Sequence, residues 1–315
     1  MSNEHIEIAI IGGGPAGLAA ALYASRGRAR TVVFERGIPG GQIVTTDWVE
    51  NYPGFPKGVS GQELGSLMTK QAEEFGAVIR SFAPVDSVTV AEDGHFALTS
   101  EDETFDADSV ILATGAVPRK LGVPGEAEFT GRGVSWCATC DGALFRDKVV
   151  AVIGGGDAAV EEAMFLTKFA SRVHLIHRRD ELRATKCIQE RCLANPKMEM
   201  HYSRVVAEIV GEDGKVSAVR LKTTNDEPEE VLALQGVFIF VGVYPVNELA
   251  VELVKLADNG YITIDHDGRT SVPGLFAAGD VTDSELKQVI TAAAKGASAA
   301  FEALRYIDET TSCSI

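Results

Sequence analysis

Basic residues are scarce in this 315-residue chain: 29 Lys and Arg stand against 45 Asp and Glu, a formal net charge of −16. That balance argues against nucleic acid or an anionic membrane surface as the main partner. It does not argue against a small phosphorylated ligand. Salt screens distant charge over about 8 Å, so a local arginine cluster outweighs the remote surplus. Long apolar runs are missing too, and none approaches the roughly 18 residues a membrane span needs. The first strand pattern starts by about Ile6, which leaves no room ahead of it for a secretory signal peptide. The expected location is the cytoplasm. Cysteine is sparse at five residues, and in a reducing compartment such a set builds no structural disulfide framework. A zinc site made from Cys137, Cys140, Cys187 and Cys192 has unusual spacings and is disfavoured, so no metal is expected. Cys313 lies in a polar tail and carries no assignment.

What is present is glycine, 32 residues, much of it in two matching loops. Segment 6–17 reads IEIAIIGGGPAG and segment 149–159 reads VVAVIGGGDAA. Hydrophobic content of 45% with 23% charge fits a soluble globular protein, and the length suits two domains. Each half repeats one order: apolar strand, glycine turn, helix, second strand at 31–36 or 172–176, a strand-rich stretch, and a closing apolar strand at 109–115 or 236–242. Asp93-Gly94 and Asp213-Gly214 mark a hairpin in each strand-rich stretch. The predicted fold is α/β, with two Rossmann-like three-layer domains whose nucleotide sites lie at strand C-termini. The second unit reads as an insertion in the first, with crossings near Val117 and Val246, each next to a proline. The expected domains are 1–117 with 247–315, and 118–246.

The chemistry follows from spacing. Gly12, Gly14 and Gly17 satisfy GxGxxG between a strand and a helix, with Pro15 and Ala16 inside the motif. The glycines permit a tight turn and close approach of a pyrophosphate to a helix N-terminus. An ordinary glycine turn is the competing reading, which the strand-and-helix context disfavours. Glu35, beside Arg36, lies 18 residues beyond Gly17, where an acid accepts hydrogen bonds from ribose hydroxyls and repels a 2′-phosphate. A solvated strand-end glutamate is the alternative. The second loop has Gly154, Gly155, Gly156, Asp157, Ala158 and Ala159. At the same offset it carries His177, Arg178 and Arg179, with Arg183 about one helical turn further on. Exchange of acid for base at that offset suits a 2′-phosphate, so FAD is expected in the first unit and NADPH in the second. A solvated arginine face is the rival.

Cys137-Ala138-Thr139-Cys140 stands just ahead of the second loop. Two intervening residues let the sulfurs form a reversible disulfide at a helix start, where thiolate is favoured. Asp141 follows and is placed to protonate a departing thiolate. A buried structural pair or half a zinc site remains the alternative.

These residues resemble the low-molecular-weight, bacterial-type thioredoxin reductase family over essentially the full chain. The matching motifs are GGGPAG at 12–17, GGQ at 40–42, ENYPG at 50–54, ATG at 113–115, CATCDG at 137–142, GGGDAAVEEA at 154–163, HRRDELRA at 177–184 and AAGD at 277–280. The resemblance implies that Gly40, Gly41 and Gln42 pack against FAD, with Asn51 near its ring system. It further implies FAD contacts for Ala113, Thr114 and Gly115, for Gly279 and Asp280 along the ribityl chain, and for Lys287, Gln288 and Val289 over the flavin. Cys140 would face the flavin, Cys137 would attack the thioredoxin disulfide, and Asp141 would serve as acid and base. A homodimer and a large rotation between the domains are implied as well. Departures are Trp136 where tyrosine is common, GVYPVN in place of the usual GxxPN order, and Lys287 where arginine is frequent. Rival functions are a flavin-dependent dithiol oxidase, which needs no arginine cluster, and a ferredoxin or flavodoxin reductase, which needs no dithiol. A nucleotide-responsive redox sensor is the non-enzymatic rival.

Overall fold

Two strand–glycine–helix repeats form two separate units in the computed structural model, which describes residues 4–312 apart from 47, 50, 93, 225–228 and 285. Unit 1 comprises Met1–Val117 and Tyr244–Ile315; unit 2 is Pro118–Val243. The second crossing thus falls three residues ahead of the expected one at Val246.

In unit 1 the order is β1 (Glu4–Ile11), α1 (Pro15–Arg26), β2 (Thr31–Glu35), α2 (Gly61–Glu74), β3 (Val78–Ser81), β4 (Val85–Val90), β5 (Phe96–Ser100), β6 (Glu103–Leu112) and β7 (Ala116–Pro118). Unit 2 contains β8 (Val134–Ser135), α3 (Ala138–Asp141), β9 (Val149–Ile153), α4 (Asp157–Leu166), β10 (Arg172–Ile176), α5 (Lys186–Leu193), β11 (Met198–His201), β12 (Arg204–Glu212), β13 (Lys215–Thr223), β14 (Glu230–Ala233) and β15 (Gly236–Ile239). The chain returns through β16 (Val243–Pro245), which pairs with β7, to β17 (Leu275–Ala277) and α6 (Val289–Ser312).

The unit 1 sheet runs β3-β2-β1-β6-β5-β4, with β17 also on β6. Strand β6 joins two architectures. β1 pairs parallel with it from Phe105 to Leu112, while β5 pairs antiparallel with Glu103–Ala107 and β17 pairs parallel with Val110–Leu112. Both faces of the parallel part are covered, which is why β1 is a continuous apolar run rather than an alternating one. Ile8 and Ile10 face the alanines of α1 and α6; Ala9 and Ile11, beside Val32, Phe34 and Leu112 on the other face, pack against Ala250, Val254 and Ile262. Unit 2 has a parallel sheet β11-β10-β9-β15-β8 and an antiparallel sheet β12-β13-β14. Val150 and Val152 pack toward Ala159 and Ala163 of α4, while Ala151 and Ile153 pack toward Ile209, Val219 and Leu221 of the antiparallel sheet.

Turn chemistry sets the strand ends. Asp213 and Gly214 both have positive φ, 52° and 75°, the type I′ geometry that joins β12 to β13. The companion turn holds Asp93, outside the described residues; β4 and β5 pair antiparallel on either side of it. The two closing strands stop earlier than their apolar runs, at Leu112 and Ile239. Each run ends in a glycine of positive φ, Gly115 at 77° and Gly242 at 113°, which turns the chain out of the sheet. No described helix is long and apolar enough to cross a membrane.

The small residues of α6 let it lie against α1. A Cβ built on Gly296 would sit 1.9 Å from the carbonyl oxygen of Ala16. Alanine at a helix interior ordinarily gains about 1 kcal/mol over glycine. Here the obstacle is backbone, which no rotamer change relieves, and overpacking of this kind costs about 1–3 kcal/mol. Gly296→Ala should therefore lower the denaturant midpoint. A midpoint unchanged or raised would show that the two helices separate without penalty.

Candidate functional site

The first nucleotide loop is built by backbone touching backbone. β1 ends at Ile11, Gly12 turns at φ 108°, Gly14 is the extended N-cap and Pro15 starts α1. A Cβ on Gly12 would meet Ala113 O at 2.3 Å, and one on Gly17 would meet Gly12 O at 1.8 Å. Gly40 N–H donates to Gly13 O at 2.7 Å, and Gly41 lies so near Gly14 that a Cβ would be 2.8 Å from its Cα. Gln42 donates through its amide to Ala116 O. The GxGxxG loop, Gly40–Gln42 and Ala113–Gly115 therefore converge on one edge of the sheet.

Glu35 stands at that edge. Its carboxylate accepts from Gly13 N–H at 2.6 Å and from Gly37 N–H at 2.8 Å. It thus ties the end of β2 to the glycine loop, a role the spacing did not reveal. Each oxygen keeps a second lone pair for a ribose hydroxyl.

Asp280 lies beyond β17, after Gly279, whose φ is 76°. Burial raises the Asp280 pKa, opposed by Lys287 and Lys295. Burial likewise lowers both lysines, opposed by Asp280 and Asp283. Lys287 Nζ donates to the Asp280 carbonyl at 3.0 Å and stands 4.1 Å over the Tyr261 ring; Lys295 Nζ donates to Thr282 Oγ1 at 2.9 Å. Lys295, Thr282 and Tyr261 escaped the sequence reading. The signal for Lys295 was there: a single lysine inside the small-residue run TAAAKGASAA. Asn51 donates to Gln288 Oε1 at 3.0 Å, joining two expected site residues 237 positions apart. Val289 opens α6. Arg36 adjoins Glu35 in sequence, but no described contact ties it to the loop.

Unit 2 repeats the loop with a different wall. Gly154 turns at φ 156°, and Gly156 N-caps α4. A Cβ on Gly155 would fall 2.2 Å from His177 Nδ1, so the ring of His177 lies on this glycine. His177 is buried, and its Nε2 is a buried polar atom with no partner among the described residues. Its pKa is lowered by burial, then by Arg183, Arg179 and Arg178. Residues 177–185 form no helix; α5 begins at Lys186. Arg183 is therefore not one helical turn from Arg179. Its backbone N–H donates to Gly155 O at 2.7 Å, as Ala184 N–H does at 3.1 Å, and these bonds rather than periodicity bring it to the loop. Its guanidinium is 3.9 Å from a Cβ position on Gly156. Asp157 Oδ1 accepts from Thr185 N–H at 2.7 Å, so this carboxylate also holds the segment.

Both loops fit a dinucleotide. Neither Gly14 nor Gly156 caps its helix with a side chain, so first-turn amides of α1 and α4 remain for an anion. The unpartnered His177 Nε2 adds a polar atom suited to a ligand hydrogen bond in unit 2.

Cys137 and Cys140 are joined in a disulfide, with their Cα atoms 5.3 Å apart. Cys137 is the N-cap of α3, and its Sγ accepts from Cys140 N–H at 3.2 Å. Ser135 Oγ accepts from Cys137 N–H at 3.0 Å, and buried Ala138 anchors the turn in the core. Both sulfur-bearing residues and Asp141 are half-buried. With Cys137 and Cys140 bonded to each other, the other described cysteines are Cys187, which is exposed, and Cys192, which is buried. Cys313 lies outside the described residues, as does Glu50 of the ENYPG motif.

The sequence profile of the pyridine nucleotide-disulphide oxidoreductases matches residues 6–296. The chain belongs to that family. A thioredoxin reductase of Treponema pallidum (strain Nichols) is 48% identical over 303 residues, covering 96% of this chain and 97% of that protein. One from Listeria innocua serovar 6a is 44% identical over 310 residues, with 98% and 96% covered. The crystal structure of thioredoxin reductase from Streptococcus pyogenes MGAS5005 matches at TM-score 0.92 and 44% identity, covering 98% of this chain and all of that one.

Glu35→Gln tests the tie found at the first loop. Gln turns one acceptor oxygen into a donor facing an N–H. A lost hydrogen bond to a charged group costs about 1.5–3 kcal/mol, less where water reaches it. A lower melting temperature in flavin-free protein is expected. An unchanged one would leave Glu35 no part in holding the loop.

Proposed function

We propose that the chain is an NADPH-dependent, FAD-containing disulfide reductase whose protein substrate is thioredoxin. The observation that carries this reading is the closed, half-buried Cys137–Cys140 disulfide, in the same unit as a glycine loop lined by His177 and Arg183. The family uses FAD and a nicotinamide, and so does this member. In the net reaction NADPH and one proton deliver two electrons, and the thioredoxin disulfide becomes a dithiol. When bound, FAD would supply two-electron transfer between the nicotinamide and the Cys137–Cys140 disulfide.

The remaining work falls to the chain's own residues. In unit 1, Gly12–Gly17 and the N-terminus of α1 hold the pyrophosphate, and Glu35 accepts from ribose hydroxyls. Asp280 serves the ribityl chain, with Gly40–Gln42, Asn51, Ala113–Gly115 and Lys287–Val289 around the flavin. In unit 2, Gly154–Gly156 take the second pyrophosphate, and Arg178, Arg179 and Arg183 take the 2′-phosphate, with neutral His177 against the loop. Opening the Cys137–Cys140 bond yields two sulfurs that must each gain a proton or stay thiolate. The Cys140 N–H held by Cys137 Sγ stabilises a Cys137 thiolate, the better nucleophile toward an incoming disulfide. Asp141 is the proton donor to the departing sulfur. Cys137 attacks thioredoxin, and Cys140 then closes on Cys137 and releases the thioredoxin dithiol. On the family resemblance, the protein works as a homodimer in the cytoplasm.

Steady-state NADPH oxidation with candidate thioredoxins tests the whole reading, and no turnover with any of them would overturn it. Cys140→Ser should retain FAD and its reduction by NADPH while abolishing thioredoxin reduction. Turnover in that variant would remove Cys140 from the path.

Removing Arg178 or Arg179 probes nucleotide choice. A charge-assisted hydrogen bond is worth about 1.5–3 kcal/mol, roughly ten- to over a hundredfold in affinity. NADPH should weaken by that order, while NADH, with no 2′-phosphate, should be nearly unaffected. Equal losses for both nucleotides would assign these arginines to the fold or the pyrophosphate.

A further inference from the structure

Outside the residues assigned to the nucleotide and dithiol sites, three side chains that can ligate a metal meet within unit 2, with His201 O accepting from His177 N–H at 2.9 Å. His174 lies on β10; Glu199 and His201 lie on the adjacent parallel strand β11. The register sets Glu199 opposite His174, with His201 two residues on. Side chains two apart on a strand share a face. Glu230 of β14 and Arg204 of β12 close the group from the antiparallel sheet.

The distances suit a metal ion. His174 Nδ1 and His201 Nε2 are 2.9 Å apart. Glu199 carboxylate oxygens lie 3.8 Å from the first and 3.7 Å from the second. One ligand atom from each residue falls within 4.8 Å of the others. The 3.8 Å distance is to Oε2 and the 3.7 Å distance to Oε1, so the three donors lie close together, and small side-chain shifts would bring one oxygen and the two nitrogens, now hydrogen-bonded to each other, to the roughly 2 Å lengths of Zn–N and Zn–O bonds.

We propose that His174, Glu199 and His201 form a binding site for a divalent transition-metal ion of the zinc class, with water completing the shell. Two imidazoles and one carboxylate are a donor set that suits zinc. The surroundings are those of a held site. Arg172 donates to Glu199 Oε2 at 2.8 Å, fixing the carboxylate and leaving Oε1 toward His201. Glu230 Oε2 lies 3.7 Å from His201 Nδ1, too long for a hydrogen bond but placed to attract an N–H there, as carboxylates beside metal-bound rings do. That contact favours an N–H on His201 Nδ1 and a lone pair on its Nε2. His174 has to move its ring proton from Nδ1 to Nε2, and no proton need leave the protein. Two guanidiniums, Arg172 and Arg204, are offset by the carboxylates of Glu199 and Glu230. The two imidazole side chains are 8% and 9% exposed, whereas that of Glu199 is 44% exposed, so an ion enters past the carboxylate. Nothing in the spacing of 174, 199 and 201 suggests ligands; strand register alone brings them together.

The site is tested with FAD-loaded protein, its disulfide closed and its free thiols blocked with N-ethylmaleimide, titrated with zinc chloride by calorimetry. One zinc per chain is expected, with a rise in melting temperature as zinc is added. His201→Gln and His174→Gln should each weaken binding about tenfold or more, since even loss of an outer partner commonly costs 10–100-fold. His266→Gln, at an exposed histidine outside the group, should leave affinity unchanged. Absence of saturable binding would overturn the proposal, as would binding that keeps its affinity in His201→Gln. Integrity of the histidine variants is read from the flavin spectrum and the zinc-free melting temperature. Should they fail to fold, Glu199→Gln at the half-exposed carboxylate decides: weakened zinc binding supports the site, and unchanged binding overturns it.

Discussion

Close backbone contact at a few glycines is the constraint on which the two loops depend. At Gly17 a Cβ would stand 1.8 Å from the Gly12 carbonyl, and at Gly296 one would stand 1.9 Å from that of Ala16. With no side chain in the way, β1 passes directly into α1, and α6 lies against the start of the same helix. The amides of that helix start then face the space where an anion is held. A bulkier residue would push the helix off the sheet and carry the amides with it.

Unit 2 uses the same construction with a changed lining. Where unit 1 has Glu35 accepting from the loop amide of Gly13 and from Gly37, unit 2 has His177 against Gly155, with arginines behind it. The exchange reverses the electrostatics at one geometric position. Burial and three guanidiniums hold His177 neutral, so positive charge rests on the arginines, which keep it at any ordinary pH. One loop is thereby suited to an unphosphorylated ribose and the other to a phosphorylated one, without a change of fold.

The disulfide draws its setting from local structure. Cys137 as N-cap places its sulfur on the Cys140 amide, and Ala138 in the core fixes the turn beneath it. Half-exposure leaves the pair reachable by a partner. Accessible redox chemistry at the surface of a well-packed unit follows from four consecutive residues, one of them a buried alanine.

The sequence by itself determined the α/β class, the duplicated strand–glycine–helix units, the dithiol and the exchange of Glu35 for His177 and arginines. These signals are short in range or repeat at a fixed offset, and local steric rules fix them. Tertiary structure decided the rest. Arg183 reaches its loop through a backbone bond to Gly155, because residues 177–185 form no helix whose periodicity could be read. The strand ends at Leu112 and Ile239 were set by glycine turns that an apolar run conceals. The pairing of Asn51 with Gln288, the lysines around Asp280 and the grouping of His174, Glu199 and His201 required distant segments to be placed side by side. Linear spacing carries no record of such neighbours, since strand register and helix docking are set by burial of the whole core.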